Sequence, residues 1–279
     1  QTCALPICPY IYRKDGIKIS DALFILCDGI SGVSKLHTQV LKDLLSSFRY
    51  KIYENQTYGN TNGVHSMQWL SKKLLRLLID YAIKTESLSL KELFKNLEKD
   101  RDLKEKFVSE LDKIKFSLEK NLRDWLKTKG IEAKEGLAII PILRRVVPYK
   151  CLDKFVTLLE REDFRRRLIE GHNFYLIGGR TFDEWGATQI NKIKSAIEDY
   201  PQLKERVGIL YDYNIAEAFR IWQGSFAAVM TSNFKREASA TSMMKALMNA
   251  GILIATGDGA IPELLIDFNE NDEEGNGFL

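Results

Sequence analysis

Residues 237–263 open with Glu237-Ala238-Ser239-Ala240-Thr241-Ser242-Met243-Met244-Lys245 and run on through Asn249 to the apolar stretch Ile252-Leu253-Ile254-Ala255. They close on Gly257-Asp258-Gly259-Ala260 to Glu263. Small and hydroxyl residues lead an apolar-periodic run, so residues 239–242 read as a loop feeding a helix over 241–250. A strand over 252–255 and a glycine turn follow. Loop, helix, strand and turn in that order make one unit of an α/β fold. Exposed backbone N–H groups and the helix dipole make such a helix start a seat for an anion. Lys245 stands at i+4 from Thr241 and shares its helix face.

Upstream the chain alternates in the same way. Leu137–Leu143, Phe174–Ile177 and Val207–Tyr211 read as strands, and helices are expected over 150–171, 184–200 and about 215–223. An open, mostly parallel sheet with helices on both faces follows. Ligands of such sheets lie beyond the carboxyl ends of the strands, where Arg144–Lys150, Gly178–Arg180, Tyr211 and Gly257–Gly259 fall. The block Arg144-Arg145-Val146-Val147-Pro148-Tyr149-Lys150 therefore sets three cations and a phenol at the binding edge. Arginine by bidentate contact and lysine as a point charge suit phosphate. The alternative is a basic helix start with solvated side chains.

Nearer the N-terminus the pattern changes. The turn-rich run Tyr58 to Gly63 (YGNTNG) marks the expected domain boundary, between residues 9–63 and 64–279. A helical segment is expected over 66–130, with one helix over 67–82 and two or three amphipathic helices over 87–127. Residues 17–26 read as a strand, and apolar residues at 33, 36, 40, 41, 44 and 45 keep a helical period. Residues 1–8 (QTCALPIC) read as a non-native scar, and both ends read as cuts in a longer gene.

Composition narrows the class. With 45% hydrophobic and 28% charged residues the chain reads as an ordinary globular protein. A net charge of +3, with acids interleaved among the bases of KDRDLKEK (99–106), argues against a nucleic-acid partner. No apolar run reaches the length of a membrane span. Cys3, Cys8, Cys27 and Cys151 have no metal-binding spacing, which points to no metal, no disulfide and a reduced, cytoplasmic setting.

Taken in order from about Ile17 to the last residue, these blocks resemble the α-glucan (glycogen, starch, maltodextrin) phosphorylases. Residues 237–263 resemble the family's cofactor-lysine segment, and Arg144–Lys150 its Lys-Arg-x-x-x-Tyr-Lys run. Gly32-Val33-Ser34-Lys35-Leu36-His37-Thr38 is similar to its Gly-Val-Ala-x-x-His-Ser/Thr segment. Asn60-Thr61-Asn62-Gly63 with Trp69 resembles its Thr-Asn-Gly hinge. Tyr211 with Ala216-Glu217 resembles its Asn-Tyr-Arg-Val-Ser-Leu-Ala-Glu segment.

The resemblance implies an α/β fold: the Rossmann-like C-terminal domain of a two-domain, GT-B type glycosyltransferase, plus the tail of the N-terminal domain. It implies pyridoxal 5'-phosphate as cofactor, and inorganic phosphate cleaving terminal bonds of an α-1,4-glucan to release glucose 1-phosphate. It makes Arg145, Lys150 and Lys245 the catalytic set. It gives the cofactor to Lys245, Thr241, Ser242, Arg144 and Tyr211, and the sugar to His37, Asn62, Tyr149, Glu237 and Ser239. A homodimeric full-length parent is implied, and this chain alone is expected to show no measurable phosphorolysis.

Several positions depart from the family pattern: Asp28 and Ser31, Ser66-Met67-Gln68, Val147-Pro148 for a His-Glu pair, Asp212 for an Arg, Lys235-Arg236 for Gly-Thr, Met243, and Ala240 and Ser242 for two glycines. They leave two rival readings. One is a degenerate relative without turnover. The other is a sugar-nucleotide glycosyltransferase of the same architecture, whose Gly-x-Pro-Glu turn Gly259-Ala260-Ile261-Pro262-Glu263 resembles and in which Lys245 would be free.

Overall fold

A computed structural model describes residues 12–13, 16–17, 27, 29–46, 57–211, 213–268 and 275–279. The first segment contains an antiparallel pair, β1 (Tyr12–Arg13) with β2 (Gly16–Ile17). It continues with β3 (Ile30–Gly32), α1 (Lys35–Ser46) and β4 (Thr57–Gly59), the two strands parallel. Gly32 lets α1 close onto this pair, because a Cβ there would lie 2.2 Å from Thr38 Oγ1. Most of the strand expected over 17–26 lies outside the described residues, as do residues 1–8, Asp28 and Asp212.

The helical segment resolves into α2 (Ser66–Trp69), α3 (Lys72–Lys84), α4 (Leu90–Lys99) and α5 (Arg101–Thr128). The helix expected over 67–82 is interrupted at Leu70–Ser71. There the buried Asn249 carboxamide accepts from Ser71 N at 2.8 Å and donates to Trp69 O at 2.9 Å. Residues 87–127 hold two helices, separated where Asp100 ends α4 and its side chain caps α5 by accepting from Leu103 N. Tyr81, Leu93, Leu97 and Phe107 form the core between these helices.

The α/β part follows as β5 (Ala138–Leu143), α6 (Leu152–Leu159), α7 (Glu162–Glu170), β6 (Asn173–Gly178), α8 (Glu184–Asp199) and β7 (Val207–Leu210). Then come α9 (Ile215–Gly224), β8 (Ala227–Met230), α10 (Ser242–Met248), β9 (Ile252–Ala255), α11 (Ile261–Leu264) and β10 (Gly277–Phe278). β5, β6 and β7 form one parallel three-stranded sheet, and β8, β9 and β10 a second. The sheets abut along β5 and β8, where Phe226 N donates to Ile139 O at 3.0 Å. Across both, the spatial order is β7-β6-β5-β8-β9-β10, so the chain builds outward one way from β5 and the other way from β8.

Alternation within the strands fills a core on each face. Ile139, Leu143, Phe174 and Leu176 pack under Leu122 and Leu126 of α5 and Ile221 of α9. Ile177 and Val207 pack on the opposite side with Val156 of α6 and Ile190 and Ile193 of α8. Pro141 sits inside β5, a placement that normally excludes a central strand. Ala138 N and Arg144 N both donate toward the β6 side, so in a parallel ladder the even residues face β6 and the odd ones face β8. The donor that proline lacks thus falls on the seam between the two sheets.

Three expectations change here. The helix expected over 150–171 is a 3-10 turn at Pro148–Lys150 followed by α6 and α7, broken at residues 160–161. Strand β8 was not anticipated. Helix α10 is shorter than 241–250, with 7 residues.

Candidate functional site

The sheet order reverses between β5 and β8, and the crevice beyond their carboxyl ends collects the charged residues. Arg144 is the first residue after β5. Its guanidinium reaches across the seam to Thr231 O, just past β8, and donates to the carboxylate of Glu237. Lys150 Nζ donates to the same carboxylate oxygen at 2.6 Å. The side chains of Arg144, Lys150 and Glu237 are 8%, 10% and 8% exposed, so this is a buried network of two cations on one acid. Burial lowers the pKa of Arg144, against the pull of Glu237. Burial also lowers that of Lys150, and Arg144 pushes it further in the same direction.

Glu237 is held from behind by Asp258, which is fully buried. One oxygen of Asp258 accepts from Glu237 N at 2.9 Å, Arg236 N at 3.0 Å and the Ser232 hydroxyl at 3.2 Å, and the other accepts from Gly259 N at 2.9 Å. The loop then turns through Ala240, a non-glycine residue at φ +64°. Thr241 makes no capping bond with its side chain, and α10 starts at Ser242. One turn into α10, Lys245 Nζ lies 3.7 Å from the centre of the Trp69 ring, which stacks on Phe219. Burial lowers the Lys245 pKa.

These groups share one cavity of about 480 Å³. Arg144, Arg145, Lys150 and Arg180 line it from the β5–β6 side, and Glu237, Ser239, Thr241, Ser242 and Lys245 from the β8–α10 side. Val33 and Asn62 of the first segment also line it. The Ser239 hydroxyl is buried and has no hydrogen-bond partner among the described residues. A larger depression of about 800 Å³ on α4 and α5 is lined by solvated ion pairs, Glu98 with Lys104 and Arg101 with Glu105, beside Val108 and Ser109.

Three residues assigned by resemblance do not line this cavity. His37 sits in the first turn of α1, where its Nδ1 accepts from Val33 N at 3.1 Å; burial lowers its pKa. Tyr149 stands beside the cavity, its hydroxyl accepting from Arg145 Nη2 at 3.4 Å. Tyr211 is 58% exposed, and Tyr213 lines the cavity in its stead. The Tyr213 hydroxyl accepts from Trp222 Nε1 at 3.1 Å, and burial pushes its pKa up to about 12. Tyr213 leads into the turn before α9, where Asn214 accepts from Ala216 N and Glu217 N while Glu217 reaches back to Asn214 N. Arg180 and Asp258 were not assigned roles from sequence either; their position beside Gly178-Gly179 and within Gly257-Asp258-Gly259 is the signal that would have found them.

A family model for carbohydrate phosphorylases matches residues 10–273. The chain is 28% identical over 247 residues to a maltodextrin phosphorylase of Thermococcus litoralis, covering 82% of this chain and 29% of the relative. It is 23% identical over 282 residues to the cytosolic alpha-glucan phosphorylase 2 of Arabidopsis thaliana, covering 92% and 33%. It is 23% identical over 265 residues to a glycogen phosphorylase of Bacillus subtilis, covering 89% and 33%. The chain therefore spans about a third of the length of the curated relatives it matches. Because the family match runs through both the first segment and the cavity-bearing α/β part, this chain belongs to the carbohydrate phosphorylase family.

Proposed function

We propose that the chain forms the cofactor- and phosphate-binding part of an α-glucan phosphorylase, with Lys245 holding pyridoxal 5'-phosphate. In this reading residues 64–279 are the Rossmann-like, GT-B type C-terminal domain and residues 9–63 the end of the N-terminal one. The observation that carries it is the convergence of the Lys245 amine, the cations of residues 144–150 and the unpartnered Ser239 hydroxyl on one cavity. Its volume is ordinary for a small-molecule site.

The residues present fit the cofactor. A lysine whose pKa is lowered by burial offers a neutral amine at lower pH than a surface lysine. An orphaned buried hydroxyl is satisfied by a polar ligand atom. When bound, the cofactor supplies a phosphate that can carry a proton near neutrality. Arg145 and Lys150 hold the substrate phosphate and stabilise charge built up beside it. Glu237 accepts from sugar hydroxyls, and Asp258 fixes the backbone from which it does so. Asn62 closes the cavity from the first segment.

Glu263 favours this reading over a sugar-nucleotide transferase. One of its carboxylate oxygens accepts from Lys35 N at 2.8 Å and the other from the Thr61 hydroxyl at 2.8 Å. Both are engaged by the first segment, so a nucleotide ribose would have to share Glu263 with those bonds. The test is incubation with pyridoxal phosphate, borohydride reduction and peptide mapping. A pyridoxyl group on Lys245, absent from K245A, is expected; a wild-type chain left unlabelled at Lys245 refutes the proposal. Phosphate-dependent release of glucose 1-phosphate from an α-1,4-glucan by the longer protein then separates an active enzyme from a degenerate relative.

A further inference from the structure

Arg145 and Arg180 are the two cavity guanidiniums that carry no carboxylate among the described residues, whereas Arg144 and Lys150 already share the carboxylate of Glu237. Their position follows from the register of β5 and β6 carried past the strand ends. Leu143 pairs with Gly178, Arg144 N donates to Gly178 O at 3.1 Å, and Val146 N donates to Arg180 O at 3.1 Å. The isolated bridge Val146–Thr181 keeps the same offset, which sets Arg145 opposite Arg180. Neighbouring extended segments lie about 4.8 Å apart, with paired side chains on the same side.

Gly179 makes that closeness possible. It sits at φ +146°, and a Cβ on it would lie 1.5 Å from Arg144 O. Any side chain there would drive the segment carrying Arg180 away from the segment carrying Arg145. Like charges held directly opposite each other repel. The other neighbours include the Tyr149 hydroxyl and the Lys150 ammonium, whose pKa the charge of Arg145 helps to lower, and the Phe182 ring 5.7 Å from Arg180. A tetrahedral oxyanion between two guanidinium forks removes the repulsion and is the ligand such forks fit best.

We infer that Arg180 is a further anion-binding residue of this site, forming with Arg145 a clamp for a phosphate group, supplied as free phosphate or as a phosphomonoester. The clamp rests on reading the crevice as a phosphate site, and its test is separable from that of the phosphorylase assignment.

The purified chain is titrated calorimetrically with inorganic phosphate at constant ionic strength in chloride, as wild type, R180Q and R180K. In parallel, Lys245 is labelled with pyridoxal phosphate. R180Q is expected to weaken phosphate binding by at least about tenfold, the scale of one lost charge-assisted contact, with R180K recovering only part of it. Without phosphate, R180Q is expected to unfold at the wild-type temperature or above it, because a repulsive pair has been removed. A loss confined to pyridoxal phosphate labelling supports the clamp and identifies the phosphomonoester as its ligand. R180Q matching wild type in both arms overturns the inference. Arg180-dependent phosphate binding in a chain never labelled at Lys245 sustains the clamp and defeats the phosphorylase reading instead.

Discussion

Ala240 is where the local backbone and the sequence disagree most plainly. Its φ of +64° belongs to a region that favours glycine, and the phosphorylase pattern has a glycine there. The turn is required, because Ser239 O must accept from Ala260 N at 3.0 Å and Ala240 O from Met243 N at 3.0 Å. Alanine fits at the expense of about 1 kcal/mol of left-handed strain, roughly offset by the freedom a glycine would gain in the unfolded chain. A240G is therefore expected to leave stability unchanged or to raise it by up to about 1 kcal/mol. A240V, branched at Cβ, is expected to lose about 2 kcal/mol or more, both read as shifts in urea midpoint. At this scale the gathering of most candidate residues on one cavity was legible. The helix face of Lys245 and the sheet edge of the 144–150 cations followed from spacing, whereas Glu237 and the roles of all of them came from the family resemblance. That Tyr213 and not Tyr211 lines the cavity was not legible, since it depends on where the chain leaves β7 and enters α9.

Lys115 acts between elements. From α5 its ammonium donates to Ser225 O at 3.0 Å, Asn249 O at 2.7 Å and, at 3.4 Å, Gln223 O, tying the ends of α9 and α10 to one side chain. A cation at helix C-termini also opposes their dipoles favourably. K115A orphans these carbonyls and is expected to cost about 2–3 kcal/mol in chemical denaturation. Burial draws the Lys115 pKa down to about 8, with Glu119 resisting. An unfolded lysine titrates near ~10.4, so between these values the unfolded chain holds the extra proton. The part of stability contributed by Lys115 therefore rises with pH across that window, by up to about 1.4 kcal/mol per unit. K115M is expected to abolish that rise, seen as a smaller gain than wild type between about pH 7.5 and 9.5; an identical gain would refute it. Strand β8, which α9 feeds, escaped the sequence reading because Ala227-Ala228-Val229-Met230 is short, apolar throughout and without alternation.

For the whole molecule, Glu263 joins the first segment to the α/β part by bonding Lys35 N and the Thr61 hydroxyl. E263A is expected to speed hydrogen exchange at the Lys35 amide by about tenfold or more while leaving the β5–β6 amides protected. Unchanged exchange at Lys35 would show that other contacts hold the segment. The alternation of strands and helices made the parallel α/β class readable, but alternation does not say which strands become neighbours. The order across the two sheets depends on packing over both faces, and so the crevice could be anticipated only as a shared strand edge.

The seam left by Pro141 has a mechanical consequence. Among the described residues, Phe226 N donates to Ile139 O across the β5–β8 join far from the crevice, while beyond the strand ends Asn233 N donates to Tyr149 O at 2.8 Å and Arg144 donates to Thr231 O and Glu237. One edge of the join is thus sewn with peptide groups alone and the other with a peptide group and charge together. An anion that competes for Arg144 therefore releases only the charged stitch of that edge and leaves its peptide stitch in place.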